Sequence, residues 1–424
     1  MTLQTVGGDL NERKRLIPYK WEMLIWLWFA FFLHLVDRQI FNNLLPLIKV
    51  DLHVSDVRLG LVASIYTGII GLGVLVGGYA ADVWRRKWII VLSLTVWSTA
   101  TLLTGLSTGL VTLLIFRGLA SGGGEAFYYP SAASLISQIH HKAKATALAI
   151  HQSAQYVGII ASFLGGYIGE RYGWRSAFYI FGGFGIVLGA IQIFRLRDTP
   201  HETPTGTNAE AVTARPPIGM VLRAILGNST ALVLLLALAG HVFVNTGYMT
   251  WMPTLLHENF GMSITLAGFS AVAYHYIFAL IGVFLGGKIS DRWALRRRTI
   301  RMEFEWAGLM LASPFIFWMG CAESAFTCCL ALGLFGFFRG FYDSNLWTAL
   351  FDVVEPHFHA SAIGLMLAWS FLFGALAPLI MGWTKGVFGL GASVSALAFV
   401  YFTAGVIVLI AQATCFRKDY RREE

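Results

Sequence analysis

Six charged side chains interrupt apolar stretches that are long enough to cross a bilayer, and these are the residues best suited to chemistry. They are three acids and three bases: Asp37, Arg38, Arg117, Glu125, Arg339 and Asp343. A charge at the centre of a membrane helix costs about 2.5–3.5 kcal/mol on insertion scales. Each charge must therefore be paired or face a polar cavity. Structural ion pairs could neutralise all six, but binding of protons and of a charged ligand is the interpretation we favour.

The spacing of these residues assigns them to common helix faces. His34, Asp37 and Arg38 follow i, i+3, i+4 spacing, so one stripe of a helix carries all three. Arg117 and Glu125 are eight residues apart, which turns an ideal helix about 80° past two full turns. The two groups would therefore point in clearly different directions if the helix were regular.

The composition explains why these charges must lie within a membrane. The chain has 424 residues, of which 56% are hydrophobic and 13% are charged, against roughly 25% charged in soluble domains. Its mean hydropathy is +0.65. The four cysteines form no CxxC pair and have no histidine at zinc spacing, so we expect no disulfide framework, no metal site and no cofactor. Residues 282–288 match part of a phosphate-binding loop, but Ile289 follows, so ATP hydrolysis and enzyme activity are not expected.

Twelve apolar runs are long enough to span a bilayer as helices, since about 20 residues are needed. The sequence therefore predicts an all-α membrane protein with twelve transmembrane helices. The predicted spans are residues 22–45, 59–80, 88–108, 109–135, 145–168, 174–195, 229–254, 264–287, 300–320, 324–350, 360–384 and 391–415.

The distribution of basic residues predicts the orientation. With the N-terminus in the cytoplasm, 23 of the 31 Lys and Arg residues fall in cytoplasmic segments, 5 on the opposite side and 3 within spans. This asymmetry follows the positive-inside rule and predicts that both termini are cytoplasmic, in the inner or plasma membrane. It also accounts for the net charge of +8, so no nucleic-acid partner is needed, and no obligatory protein partner is inferred.

The chain divides near its middle. Residues 196–220 form a polar, Pro- and Thr-rich stretch that separates six spans from six. We predict an N-terminal six-helix bundle at 1–195, a cytoplasmic linker at 196–220 and a C-terminal six-helix bundle at 221–424. Each half repeats Gly-x-x-x-Asp and basic residues after its second span, at Gly78–Asp82 and at Gly287–Asp291. Such internal repeats are typical of secondary transporters, so the two bundles are expected to be pseudo-symmetric.

These repeated loops resemble those of the major facilitator superfamily. Gly173-Trp174-Arg175 is similar to the opening of the sixth helix in that superfamily, and the resemblance covers essentially the whole chain. Arg85 departs from it, because a Gly is usual at that position. The resemblance implies a cytoplasmic gate whose charges pair when that face closes. We assign the gate to Asp82, Arg86, Asp291 and Arg292.

Narrower features resemble the anion:cation symporter branch. They are Val36-Asp37-Arg38, Arg117, Gly124-Glu125-Ala126 and the stretch 150–158. Spinster-type lipid transporters share the Asp-Arg pair and the Gly-Glu-Ala. The symporter pattern has one residue fewer between Arg117 and Glu125. A π-bulge near Gly122-Gly123-Gly124 would absorb the extra residue; alternatively, the glycines allow close helix packing.

The resemblance implies a secondary active transporter that carries a small organic anion, such as a sugar acid or carboxylate, together with protons. Two alternatives stay open. One is a spinster-like carrier of lysolipid or another amphiphile, which a continuous apolar cavity with a lateral opening would favour. The other is a membrane sensor on a transporter scaffold, which would bind its ligand without net flux.

Site residues follow from the resemblance and from helical stripes of polar side chains. Glu125 and then Asp37 are expected to couple protons. Arg117 is expected to contact the substrate carboxylate with help from Gln155, while Arg38 organises Asp37. For each His or Trp taken alone, core packing is the alternative interpretation. The full substrate-binding set is Arg117, Arg38, Gln155, Tyr66, His151, Asn245, Tyr248, Tyr274, Asn345, Trp369 and Ser370.

Overall fold

The computed structural model describes residues 18–140, 143–197, 218–294 and 296–420, and their side chains except those of 78, 79, 81–83, 145, 218, 357 and 360. Within these residues, twelve helices are long and apolar enough to cross a membrane, which confirms the predicted fold class. The chain is a multi-pass integral membrane protein. In chain order, α1 to α12 are Tyr19–Leu52, Asp56–Val83, Arg86–Thr104, Leu110–Ile139, Lys144–Tyr172, Trp174–Arg195, Ser229–Phe260, Ile264–Ala294, Ile300–Cys321, Ala325–Phe351, His359–Phe388 and Leu390–Thr414.

Helix α4 is not a regular helix. Residues Leu114–Ser121 form π-type turns, and an ordinary α-helical turn follows at Gly122–Glu125. The wide turns begin one or two turns before the glycine run in which we expected them. The glycines instead serve close packing, because a Cβ on Gly124 would lie 2.7 Å from the Trp97 backbone nitrogen on α3. Both interpretations of the extra residue therefore hold, at neighbouring positions.

The helices pack mainly within two groups, α1–α6 and α7–α12. The two groups meet where α1 contacts α7, α2 contacts α11 and α5 contacts α8. Most of the predicted linker lies outside the described residues, and the division into bundles at 196–220 stays a prediction. We call the membrane face that holds residues 18 and 420 the terminal face, and the other face the paired face.

Four charges join the two helix groups at the paired face. The Lys385 ammonium on α11 lies 2.9 Å from Asp56 Oδ1 on α2 and 2.8 Å from Glu258 Oε2 on α7. Lys49 at the end of α1 lies 2.8 Å from Asp56 Oδ2 and 3.9 Å from Glu258 Oε1. We call these four residues the ion cluster. It contains two cations and two anions, so it is neutral as a unit and links four helices.

Other contacts between the helix groups also lie toward the paired face. The Thr265 hydroxyl on α8 donates to Glu170 Oε2 on α5 at 2.6 Å, and the Leu379 amide on α11 donates to Ser64 Oγ on α2 at 3.1 Å. Between residues that the structure describes, no hydrogen bond or ion pair joins the two groups at the terminal face. Among the described residues, the hydrogen bonds and ion pairs between the two groups therefore lie toward the paired face.

We predict that Lys385→Gln weakens this closure, because Lys385 contacts both acids of the ion cluster. A loss of about 1 kcal/mol changes a two-state population roughly fivefold. A cysteine introduced at buried Ser64, in a chain whose own four cysteines are replaced by alanine, should react several-fold faster with a thiol reagent. Arg171→Gln removes an exposed cation from the same face and should leave the rate unchanged. Equal rates in the two variants would show that the cluster does not hold the face closed.

Candidate functional site

A cavity of about 290 Å³ lies between the two helix groups. It is lined by α1, α2, α4 and α5 from one group and by α7, α8, α10 and α11 from the other. Its lining combines guanidinium, amide, hydroxyl and apolar groups. The polar members are Arg38, Gln39, Asn42, Tyr66, Thr67, Arg117, Gln155, Tyr156, Asn245, Thr246, Thr250, Tyr276, Arg339 and Asp343.

Arg117 and Asp37 form a buried ion pair beside this cavity. Arg117 Nη1 lies 3.0 Å from Asp37 Oδ2, and Nη2 donates to the carbonyl oxygens of Asp37 and Arg38 at 3.1 and 3.2 Å. The Thr101 hydroxyl donates to the same carboxylate oxygen at 2.8 Å. The guanidinium also lies over the Tyr66 ring, 4.5 Å from its centroid. Arg117 is 1% exposed and Asp37 is 3% exposed, so each charge is neutralised chiefly by the other.

Glu125 is linked to Arg117 through the hydroxyl of Ser121. Its Oε2 is 2.8 Å from His34 Nε2 and accepts a short hydrogen bond from the Tyr66 hydroxyl. Its Oε1 accepts from the Ser121 hydroxyl at 3.2 Å. Ser121 also accepts from Arg117 at 3.3 Å. Because the π-type turns reduce the rotation per residue, Arg117, Ser121 and Glu125 share one face despite their eight-residue spacing.

Arg38 has a different environment from Arg117. It follows Asp37 directly, so its side chain points about 100° away around α1 and into the cavity. The nearest ring is Phe371 on α11, whose centroid is 6.0 Å from the guanidinium carbon. Among the described residues, no carboxylate lies within ion-pair distance of Arg38. Asp37 is therefore held by Arg117 and not by Arg38 as expected, although Arg117 also lines the cavity. The assignment of the substrate contact stays a prediction.

A second polar cluster lies in the other helix group. Arg339 Nε on α10 donates to Asp343 Oδ2 at 3.1 Å, one helical turn away. Its Nη1 donates to Asn245 Oδ1 at 2.7 Å and lies 2.8 Å from His275 Nε2. His241 Nε2 is 3.6 Å from Asp343 Oδ1. Arg339 therefore faces the cavity but is already held by an acid and by an amide.

The cavity contains five of the eleven residues expected to bind substrate: Arg38, Tyr66, Arg117, Gln155 and Asn245. The other six are not among its lining residues. Tyr274 and Trp369 are half exposed on the outer surface of their helices, because their neighbours in sequence occupy the inner faces. The remaining four are buried between helices: His151, Tyr248, Asn345 and Ser370.

The two expected proton-coupling acids, Asp37 and Glu125, are brought together through Ser121. Neither lines the cavity directly, and both are buried behind Arg117 and Tyr66. Ser121 has a single hydroxyl proton, and its oxygen is 3.5 Å from Asp37 Oδ2 as well as 3.2 Å from Glu125 Oε1. It can donate to only one of the two carboxyls at a time.

The expected gate residues lie at the terminal face. The Asp82 side chain is outside the described residues, and Arg86 donates a short hydrogen bond to Gln138 on α4. Asp291 and Arg292 are exposed, and no ion pair joins either to another residue that the structure describes. The gate assignment stays a prediction.

Sequence reasoning missed three features of the structure. It placed His34 on the same stripe as Asp37 but gave it no role, although His34 pairs with Glu125. It did not consider Glu305, an acid within the ninth apolar run that is fully buried. It counted Lys49 and Lys385 among the charges opposite the termini without connecting them to each other. A systematic search for acids within apolar runs would have found Glu305.

Twelve crossing helices around a polar cavity that is closed on one face define a membrane transporter. The chain belongs to the Major Facilitator Superfamily, whose family model matches residues 27–378. This is a family of transporters rather than of enzymes. Within the described residues, no group of three His, Cys, Asp or Glu side chains could hold a metal ion.

Relatives of the chain are named as carriers of organic acids. It is 26% identical to the "probable galactarate/D-glucarate transporter" of Bacillus subtilis (strain 168), over 92% of this chain and 90% of that one. It is 24% identical to the "cis,cis-muconate transport protein" of Acinetobacter baylyi, over 94% of this chain and 95% of that one. Its fold matches the crystal structure of a bacterial homologue of the human lysosomal transporter Spinster in an inward-facing, unoccupied conformation, with a TM-score of 0.85. The sequence identity to that protein is 22%, and the match covers 96% of this chain and 99% of that one.

We predict that Asp37 and Arg117 are energetically coupled. Asp37→Asn or Arg117→Gln alone leaves an unpaired buried charge, which costs about 3–5 kcal/mol. The double variant removes both charges and should be more stable than either single variant. Thermal unfolding of the four proteins in detergent measures the coupling. Additive losses would mean that the two charges do not depend on each other.

Proposed function

We propose that the chain is a proton-coupled symporter of a small organic anion, and that Arg38 is the group that binds the anion's carboxylate. The observation that carries the proposal is the guanidinium of Arg38, which faces the cavity without a carboxylate partner among the described residues. An intramembrane charge needs a counter-charge. A planar guanidinium fits a carboxylate through two parallel hydrogen bonds.

The chemistry of the cavity supports an anion rather than a lysolipid. Arg38 and Arg339 approach from opposite helix groups, and amides such as Gln155, Asn42 and Asn245 line the same space. Converging cations and amides match the carboxylates and hydroxyls of a sugar acid. The volume of about 290 Å³ is near the lower end of small-molecule sites, roughly 300–1,000 Å³. The relatives named for galactarate/D-glucarate and cis,cis-muconate point to the same class of substrate.

The acids behind Arg117 provide a means of coupling to protons. In the described conformation, Glu125 accepts from Ser121, Tyr66 and His34 together. A proton on Glu125 would replace one of these donors and would free the Ser121 hydroxyl to donate to Asp37. The strength of the Asp37–Arg117 pair, and with it the position of Arg38 on the same helix, would then depend on the proton.

Transport would proceed by alternating access around this site. The ion cluster closes the paired face, which is the external face in the orientation that the basic residues predict. The described conformation would therefore release substrate to the cytoplasm, with both termini on that side of the inner or plasma membrane. Opening of the external face requires the ion cluster to separate.

We predict that Arg38→Lys weakens anion binding, because it keeps the charge but loses the planar fork. The loss of a charge-assisted hydrogen bond, about 1.5–3 kcal/mol, corresponds to a roughly tenfold to hundredfold higher Kd. Binding of galactarate, D-glucarate and cis,cis-muconate to purified protein can be measured by thermal shift and calorimetry. Counterflow of the labelled anion in liposomes then distinguishes a carrier from a sensor, since a sensor gives no flux.

Arg58→Lys is the matched control, because Arg58 is an exposed arginine at the start of α2. It should bind each anion as the wild type does. Unchanged affinity in Arg38→Lys would remove Arg38 from the substrate site. If the wild type binds none of the acids but is stabilised by a lysolipid, the anion proposal itself fails.

We predict that Glu125→Gln separates exchange from accumulation. The amide keeps the size of the side chain and, like the protonated acid, has one accepting oxygen and one donating group. Because it cannot exchange a proton, counterflow should persist while uptake driven by a pH gradient is lost. Glu323→Gln changes an exposed acid in the loop before α10 and should leave both activities intact. Accumulation by Glu125→Gln under an imposed pH gradient would contradict the assignment.

A further inference from the structure

Glu305 is an acid for which the proposed function gives no role. It lies on α9, within the second helix group, and is 0% exposed. Both of its carboxyl oxygens are buried, and neither has a hydrogen-bond partner among the described residues. No described cation lies within ion-pair distance of it. Such a group differs from Asp37, Glu125 and Asp343, each of which has at least one donor.

The environment of Glu305 requires its neutral form. Burial of an ionised carboxylate without a counter-charge or hydrogen bonds costs several kcal/mol or more, whereas the protonated acid loses only the hydration of a polar group. In the described conformation the carboxyl therefore carries a proton. The burial of Glu305 without a partner determines its protonation, since a glutamate in water is ionised at neutral pH.

Close to Glu305, α9 packs against α10, which contributes residues to the cavity lining. Gly308 lies one turn further along the same face of α9, and a Cβ there would be 2.8 Å from the Tyr342 backbone nitrogen on α10. The Tyr342 hydroxyl is itself buried without a hydrogen-bond partner in the described part of the chain. The next residue on α10 is Asp343, which lines the cavity.

The remaining titratable groups around this cluster come from three other helices. His241 on α7 stacks on the Tyr342 ring, with centroids 4.8 Å apart, and its Nε2 is 3.6 Å from Asp343 Oδ1. Tyr401 on α12 lies 2.7 Å from His241 Nδ1. His275 on α8 contacts Arg339 at 2.8 Å. Arg339 on α10 is the one permanent cation among the described residues of the cluster.

The charges in this cluster do not balance without a proton. Arg339 can neutralise one carboxylate, and it is paired with Asp343. Arg339 therefore leaves Glu305 without a counter-charge among the described residues, so the fully buried Glu305 is the acid that requires a proton. Glu305 carries that proton in the described conformation, and it can lose the proton only when Arg339 or another positive charge comes within reach. Loss of the proton is therefore tied to a rearrangement of the Arg339–Asp343 pair.

We propose that Glu305 is a second proton-binding site of this transporter, and that its proton exchanges with the cavity through Asp343. Neither Glu305 oxygen has a hydrogen-bond partner among the described residues, so the transfer requires a rearrangement that brings the two carboxyls within hydrogen-bond reach. The O–H bond of Glu305 then breaks and an O–H bond forms on the Asp343 carboxylate, which releases the proton to cavity water. No other bond changes. The existence of the site is independent of the proposed function, whereas its use in coupling rests on that function.

Infrared spectroscopy of the purified protein tests the site without any substrate. A protonated carboxyl has a carbonyl stretching band that carboxylates lack. Glu305→Gln should remove one component of this band at neutral pH. The matched control is Glu303→Gln, two residues earlier on α9, because Glu303 is ion-paired to Arg297 at 2.9 Å and should contribute no such band. Identical bands in the wild type and in Glu305→Gln would overturn the proposal.

Exchange of the proton is tested on the same band in D2O. The component assigned to Glu305 should shift in the wild type, and the shift should be slower in Asp343→Asn if Asp343 provides the route. A wild-type band that does not shift would mean that the proton is held permanently, which also overturns the proposal. If Glu305→Gln does not fold, Glu305→Asp assigns the band instead, because it keeps an acid at the position and should shift this component of the band.

The coupling role is tested in liposomes with D-glucarate as the probe. The number of protons carried per anion should fall by about one in Glu305→Gln, as expected for the loss of one linked proton site, while counterflow continues. An unchanged ratio would exclude Glu305 from coupling. If the wild type does not transport D-glucarate or another acid, the proposed function fails, but the infrared result still decides whether Glu305 binds a proton.

Discussion

The inability of the bilayer to solvate charge is the constraint on which the rest of this structure depends. Water is absent from the hydrocarbon core, so a charged side chain within the twelve helices must be paired inside the protein, face the cavity or be neutral. Arg117 meets this requirement with one carboxylate, two backbone carbonyls and two aromatic rings. The pair it forms with Asp37 fixes α1 against α4 and, through Thr101, against α3. The position of Arg38, about 100° around α1 from Asp37, follows from that attachment.

The two helix groups meet the same constraint in a similar way. Each contains an arginine on its fourth helix that is paired with an aspartate: Arg117 with Asp37, and Arg339 with Asp343. Each also buries a glutamate, Glu125 on α4 and Glu305 on α9. The donors differ, because Glu125 has a histidine, a tyrosine and a serine, whereas Glu305 has none among the described residues. The positions of the acids differ as well, because Asp37 lies on the first helix of its group and Asp343 on the fourth helix of the other. The two groups thus share residue types, but neither the positions of the acids nor their hydrogen-bond donors.

At the paired face the charges are partly accessible to water, so separating them costs less than separating a buried pair. The ion cluster can form and separate at a modest cost, since solvent compensates the charges when they part. A buried pair such as Asp37–Arg117 has no such compensation and is suited to permanent attachment. The difference in exposure therefore divides the ion pairs into those that can open during a cycle and those that organise the site.

The sequence by itself determined the class of protein, the number of helices and their approximate ends. These depend on long apolar runs, which any fold must bury in lipid or in protein, so local composition is sufficient. It also identified six intramembrane charges, because each is costly wherever it lies, but not Glu305. Repeats such as those ending in Asp82 and Asp291 indicated the pseudo-symmetry for the same local reason.

Only the tertiary structure decided which charge meets which. Arg38 and Arg117 are equivalent by composition, and their roles depend on the rotation of α1 and on the π-type turns Leu114–Ser121, which hydropathy does not encode. The burial of Glu305 and the ion cluster likewise arise between helices distant in sequence. The sequence therefore specified the charges that had to be neutralised, and the packing of the helices selected their partners.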